Sequence, residues 1–180
     1  MFWCRVLVAE VLQKSEGGSL VSISTTRFGD ITINESRVIR MKGGILGFEH
    51  LKKYVLLMQD PKTPFWWFQS VEDGSVAFVV INSLTVKPDY KPLIFDDEAK
   101  LLEIASPEDA VLFSIVTIRS DPFTVTANLR APIVVNAKKM LAKQVVLIDA
   151  DYPVQYTITE NNTVIEVKEK AEIIPSVLAV

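Results

Sequence analysis

The chain has 180 residues, a formal net charge of −3, 49% apolar residues, one histidine and one cysteine. That length suits one domain, or one with extensions, able to bury about 70% of the unfolded chain's surface. The composition excludes a disordered class, gives no help in holding a phosphate backbone, favours a basic protein partner, and fits a reducing compartment because Cys4 has no second cysteine to pair with.

Residues 1–21 differ in character from the rest of the chain. "FWCRVLVAEVLQK" reads either as an amphipathic helix, with Trp3, Leu7 and Val11 at four-residue spacing, or as a start outside the working domain, which then begins near Ile23. Arg5 and Glu10 interrupt its apolar run and no small-residue cleavage site comes after it, so it does not read as a signal peptide. No apolar run approaches the 18 or so residues that span a membrane. The expected location is the cytoplasm, with no membrane attachment.

From there strand patterns dominate. "ITI" (Ile31 to Ile33) alternates, and "RVIRM" leads into a turn at Gly43 and Gly44. "FEHLKK" is expected to be one helical turn, and "YVLLM" a buried strand. "PFWWFQSV" and "SVAFVVINSL" flank "EDG", a hairpin signal because Asp-Gly readily adopts positive φ. "DDEAKLLEIA" (Asp96 to Ala105) is a short helix with acids at its start. Ser106 and Pro107 open one further turn that runs into the strand "AVLFSIVTI". "FTVTANL", "IVVNA", "KQVVLIDADY" and "VQYTITENNTVIEVKEK" add further short strands. Short strands with close turns predict a mainly β fold: a small antiparallel β-barrel-like domain with one or two short helices.

The four aromatics Phe65 to Phe68 raise the sharpest choice, between a base-stacking platform and a core strand. Phe65 and Trp67 point to one face, Trp66 and Phe68 to the other. A stacking strand would mix aromatics with basic residues, and there is no Lys or Arg from Pro64 to Ser83. Core is the reading, with one Trp able to sit at an edge where its indole N–H finds an acceptor.

The search for chemistry yields no catalytic residue, no metal site and no cofactor site. His50 lies between Glu49 and Leu51 with no nucleophile nearby and reads as solvated. Carboxylates cluster at Glu72–Asp73, Asp96–Asp97–Glu98, Glu108–Asp109 and Asp149/Asp151, all at turns, helix starts or strand ends where acids are ordinary. "GGILG" lacks the spacing and Lys-Ser/Thr ending of a phosphate loop. An enzyme is not expected.

The order of "RFGDITI", "GFEHLKKYVLL", "PFWWFQSVEDGSVAFVV", "IVTI" and "TANLRAPIVVN…QVVL" resembles the flagellar assembly factor family, FliW, over roughly Arg27 to Tyr152. The family usually carries "GLPGF" where this chain has "GILGF", so Leu46 stands for a proline and implies a less rigid turn; Phe68 stands where leucine is common. The resemblance implies a FliW-like β domain over 22–153, with 1–21 as an N-terminal extension and 154–180 as a C-terminal extension holding a β-hairpin and tail. It implies a non-enzymatic protein that binds CsrA, a small basic translational repressor, and also binds flagellin, so that accumulating flagellin displaces CsrA and couples flagellin synthesis to export. It implies no cofactor, no direct nucleic-acid contact and no membrane partner.

Several residues are candidates for partner binding. Glu72 and Asp73, then Asp96, Asp97 and Glu98, are acidic loops suited to a basic repressor. Phe48, beside Glu49 in the "GFE" element, either anchors a partner or plugs the barrel end; packing inward is preferred for an aromatic beside glycine turns. Asn128 and Asn136 bracket "LRAPIVV" and either hold the Pro132 turn or present a surface. An uncovered strand edge is a further candidate, for a segment of flagellin. The alternative is an OB-like barrel binding nucleic acid through its aromatics and Lys138, Lys139 and Lys143.

Overall fold

The computed structural model describes residues 18–148 and 151–158; the helix reading of "FWCRVLVAEVLQK" and most of the C-terminal hairpin and tail lie outside the described residues. Strands β1 (Leu20–Thr25) and β2 (Gly29–Asn34) form an antiparallel hairpin of their own. Next come β3 (Ile39–Met41), β4 (Lys53–Leu57), β5 (Phe65–Ser70) and β6 (Ala77–Asn82), then the short helices α1 (Ser83–Val86) and α2 (Asp96–Leu101). The remaining strands are β7 (Ala110–Ser120), β8 (Phe123–Ala127), β9 (Ile133–Asn136), β10 (Leu141–Gln144) and β11 (Tyr156–Thr157).

The strands run β7-β6-β5-β4-β3-β10-β9, and β9 pairs back onto β7, closing a ring. Strand β7 makes this possible by its length. Residues Ala110 to Phe113 pair with β9, Phe113 to Ile115 with β6, and Val116 to Ser120 with β8, which in turn pairs with β11. The mainly β, barrel-like class expected from the strand patterns is thus borne out. One pairing departs from the antiparallel rule: β10 lies parallel to β3, with Leu141 opposite Arg40.

Two-sided apolar strands are explained by cores on both faces of the sheet. Inside the ring, Ile39, Tyr54, Trp66, Phe68, Val80, Phe113, Ile133 and Ala142 share one cluster. Tyr54 and Phe68 stack there, with ring centroids 4.5 Å apart. Outside, Trp67, Val79 and Ile81 pack with Val125, Ala127 and Ile158. Leu129, Val134, Leu141 and Val145 are covered by Tyr90 and Leu102, and the β1–β2 hairpin lays Ile23 and Ile33 on Val55. The aromatic strand is therefore core on both faces. The Trp67 indole N–H finds the expected acceptor, Gln59 Oε1 at 3.1 Å, and Arg27 stacks on its ring at 4.1 Å.

Three local expectations need correction. "FEHLKK" forms no helix: Ile45 and Phe48 make an isolated bridge, and the Phe48 N–H donates to the Ile45 carbonyl at 2.8 Å. The Phe48 ring meets Phe78 edge-on at 5.2 Å, and this packing, rather than helical periodicity, sets the local path. Gly43 and Gly44 do supply positive φ, 103° and 82°. Next, the hairpin at "EDG" is present, but Gly74 is not among the described positive-φ glycines. A Cβ at Gly74 would lie 1.8 Å from the Ser24 carbonyl, so glycine serves close approach of the β1–β2 hairpin rather than turn dihedrals. Finally, the strand expected in "KQVVLIDADY" sits earlier, at β10; Val145 and Leu147 beyond it donate to the Pro132 and Arg130 carbonyls, both at 2.9 Å.

Candidate partner-binding surface

The two asparagines of the "LRAPIVV" block are internal braces. Asn128 Oδ1 accepts from the N–H groups of Arg130 and Ala131, both at 3.0 Å, holding the turn before Pro132. Asn136 is 1% exposed. Its Nδ2 donates to the carbonyls of Leu102 and Glu103, both at 2.9 Å, and its Oδ1 accepts from Lys138 at 3.0 Å and Lys139 at 3.1 Å. Every hydrogen-bonding position of that amide is used inside the molecule, so Asn136 has no surface to offer a partner. What it does is fasten the end of α2 to the barrel, where Glu103 takes a left-handed φ of 54° that no glycine is present to relieve.

Glu72 and Asp73 are also committed to their own backbone. Glu72 accepts from the Lys52 N–H and, at 2.8 Å, from the Lys53 N–H, tying the β5–β6 loop to the start of β4. Asp73 Oδ1 accepts from Ser75 N at 2.9 Å and Ser75 Oγ at 2.7 Å. These bonds hold its carboxyl below the usual range, the Ser75 hydroxyl being the larger cause. Glu49 is exposed; the Gly47 N–H donates to it at 2.8 Å, and this bond lowers its pKa most. Phe48 is half-buried against Phe78, as a packing residue.

Leu46 behaves differently from a flexible replacement for proline. Its N–H donates to Gln144 Oε1 at 2.9 Å, a bond that proline cannot make, so the turn gains a tether to β10.

The third acidic group is the one left open. Asp96 and Asp97 are exposed, and among the described residues neither carboxylate is drawn into a hydrogen bond or ion pair. Glu98, next along α2, is engaged with Lys143 at 2.7 Å. Beside the two free acids stand Leu93, Phe95 and Leu101, which are 67%, 59% and 43% exposed. Exposed apolar side chains grouped with charged ones mark interaction surfaces; Lys91 and Lys100, also exposed, lie in the same segment. The three apolar residues escaped sequence reasoning because Leu93 and Phe95 lie in irregular chain before α2 and only Leu101 is helical, so no periodicity tells their exposed side chains from packed ones.

The segment carrying this surface is braced from below. The Tyr90 hydroxyl donates to the Leu129 carbonyl at 2.6 Å, and its burial pushes its pKa well up. Asp109 accepts from Ala105 N and Ser106 N, at 3.2 and 3.1 Å, and pairs with Lys138 at 2.6 Å, which holds its pKa down. Lys139 reaches Glu103 at 3.5 Å. The three lysines that a nucleic-acid reading would recruit thus each face a carboxylate, and the aromatic strand is buried. Among the described residues, no group of three or more His, Cys, Asp or Glu side chains converges as a metal site. No described helix is long and apolar enough to cross a membrane.

The family described as "FliW protein" matches residues 22–158. The chain belongs to the FliW family. The flagellar assembly factor FliW of Syntrophus aciditrophicus (strain SB) is 57% identical over 141 residues, covering 78% of this chain and 89% of that protein. The flagellar assembly factor FliW of Caldicellulosiruptor saccharolyticus is 41% identical over 151 residues, covering 84% and 95%. A crystal structure of the flagellar assembly factor FliW superposes with a TM-score of 0.71 at 38% identity, covering 77% of this chain and 96% of that one. The family match takes in the ring, the β1–β2 hairpin and β11 together.

Proposed function

We propose that this chain is a non-enzymatic flagellar assembly factor that works in the cytoplasm by binding two proteins in exchange, the repressor CsrA and flagellin. The observation that carries the reading is the match to relatives named flagellar assembly factor FliW, up to 57% identical. Its physics is mass action: while CsrA is held, flagellin message is translated, and accumulating flagellin displaces CsrA. Displacement requires that the two partners not bind independently, through overlapping surfaces or opposed conformations.

The α2 surface supports the reading and assigns it residues. A basic repressor would be steered by Asp96 and Asp97, whose charge is not neutralised within the fold. Affinity would come from burying Leu93, Phe95 and Leu101, since apolar contact carries more of the binding energy than rim charge. Glu72, Asp73 and Asn136 are reassigned to holding the scaffold.

The test is a calorimetric titration of the purified protein with CsrA, repeated after saturation with flagellin. Saturable heat with CsrA, abolished by flagellin, is the expected result. No complex with either protein would overturn the assignment.

A further inference from the structure

On the far side of the sheet from the ring interior, β4 and the β1–β2 hairpin enclose an open cleft of about 250 Å³. Its walls are mixed: Phe28, Ile31 and Ile33 on one side and Val55, Leu57 and Met58 on the other supply apolar surface, and Thr32, Asn34 and Gln59 add polar groups. The lining holds one charged side chain, Arg37, and no carboxylate. The Arg37 Nε is enclosed yet has no hydrogen-bond partner. A buried donor left unpaired is costly, and in a native structure it calls for an explanation. Arg37 is the one cation in the lining, and a guanidinium is the group that takes a carboxylate through two parallel bonds.

The shape of the cleft indicates what carries that carboxylate. Four successive residues of β2, Ile31 to Asn34, line it, while β1 contributes none. The cleft therefore borders β2 on the side away from β1. On that side β2 has no strand partner among the described residues, since its pairing is with β1 alone. An open strand edge offers alternating N–H and C=O groups to an extended chain, and the adjoining cleft would accept its side chains.

We propose that this cleft binds an extended segment of a partner protein in which apolar residues alternate with acidic ones, pairing along the β2 edge, seating an apolar side chain against Leu57 and Met58, and placing a carboxylate on Arg37. The site shares no residue with the α2 surface, so the molecule would carry two sites, one suited to a basic partner and the other to an acidic apolar segment.

The test is a titration of the full-length, isotope-labelled protein with a short blocked peptide alternating leucine and glutamate, monitored by amide shifts. The expected result is saturable change confined to β2, Met58, Gln59 and the Trp67 indole N–H, which Gln59 holds. Arg37→Gln should weaken that binding about tenfold or more without lowering the melting temperature, since it removes a buried unpaired donor. Met58→Trp, at a side chain 44% exposed and so tolerant of bulk, should block it by filling the mouth of the cleft. A peptide alternating leucine and lysine should leave the spectrum unmoved. The proposal is overturned if no saturable shift occurs, if the shifts centre elsewhere, if the lysine peptide binds equally, or if Arg37→Gln binds as the wild type does. Octanoate binding as tightly as the peptide would overturn the assignment of a protein segment.

Discussion

In the β5–β6 loop the carboxylates of Glu72 and Asp73 are held by their own backbone; at the start of α2 those of Asp96 and Asp97 face solvent beside Leu93 and Phe95. The two pairs carry the same formal charge and have opposite employment. In the first, the carboxylates stay charged but their oxygens hold the loop, Glu72 to the start of β4 and Asp73 to Ser75, so charge reversal there would damage the scaffold before it reached any partner. In the second, the charge is favoured by the start of α2, but no hydrogen bond or ion pair of the described fold takes it up. A surface acid is more informative about function when no such bond holds it.

The contrast can be broken most strongly at its anchor. Asn136→Ala removes the amide that ties Leu102 and Glu103 to the barrel and leaves four backbone groups to find new partners. We expect a loss of about 3 kcal/mol in urea unfolding, with hydrogen exchange accelerated across α2 more than in the β5–β6 loop. A uniform acceleration would show that the brace is not specific to the α2 segment.

On the other side, Gly74→Ala places a methyl group against the Ser24 carbonyl. The hairpin must move, at a cost of about 2 kcal/mol, while CsrA binding should persist at temperatures where the fold survives. Loss of CsrA binding with an intact fold would shift the surface toward the β5–β6 loop.

A smaller effect sharpens the comparison through pH. The Lys138 partner and the Ser106 and Ala105 N–H groups hold Asp109 ionised below its usual value of 3.8. Because the native pKa is depressed, this contribution is present above the unfolded value and is lost as pH falls through 3.8 and lower. In Asp109→Asn, acid titration of the melting temperature should show a shallower fall in that window. An unchanged slope would assign the acid sensitivity to other carboxylates.

Much of this architecture was legible in local pattern. The hairpin flanking "EDG", the helix at "DDEAKL" and the turn at Gly43–Gly44 all stem from short-range chemistry, and each forms. The closure of the ring by β7 and β9, and the parallel β3–β10 pair, rest on contacts between distant segments that no local period encodes. "FEHLKK" misled because its spacing allows a helix, whereas tertiary packing of Phe48 on Phe78 decides the backbone. At the surface, acids were visible as letters, but whether Glu72 meets Lys53 or solvent is a property of the folded loop. Arg37 carried no signal at all: its enclosure depends on the hairpin lying across β4.

The most direct test compares CsrA titrations of the wild-type protein and of Asp96→Asn/Asp97→Asn, which removes the charge without placing cations at the start of α2. Exposed substitutions away from the core should change stability by only about 0.5 kcal/mol, so any loss of binding reports the surface itself. The account predicts saturable wild-type binding, suppressed by flagellin, and a double variant that melts normally but binds at least about tenfold more weakly, chiefly through slower association. Equal affinity in the two proteins would contradict the α2 surface, and a wild-type protein that binds neither CsrA nor flagellin would contradict the proposed function itself.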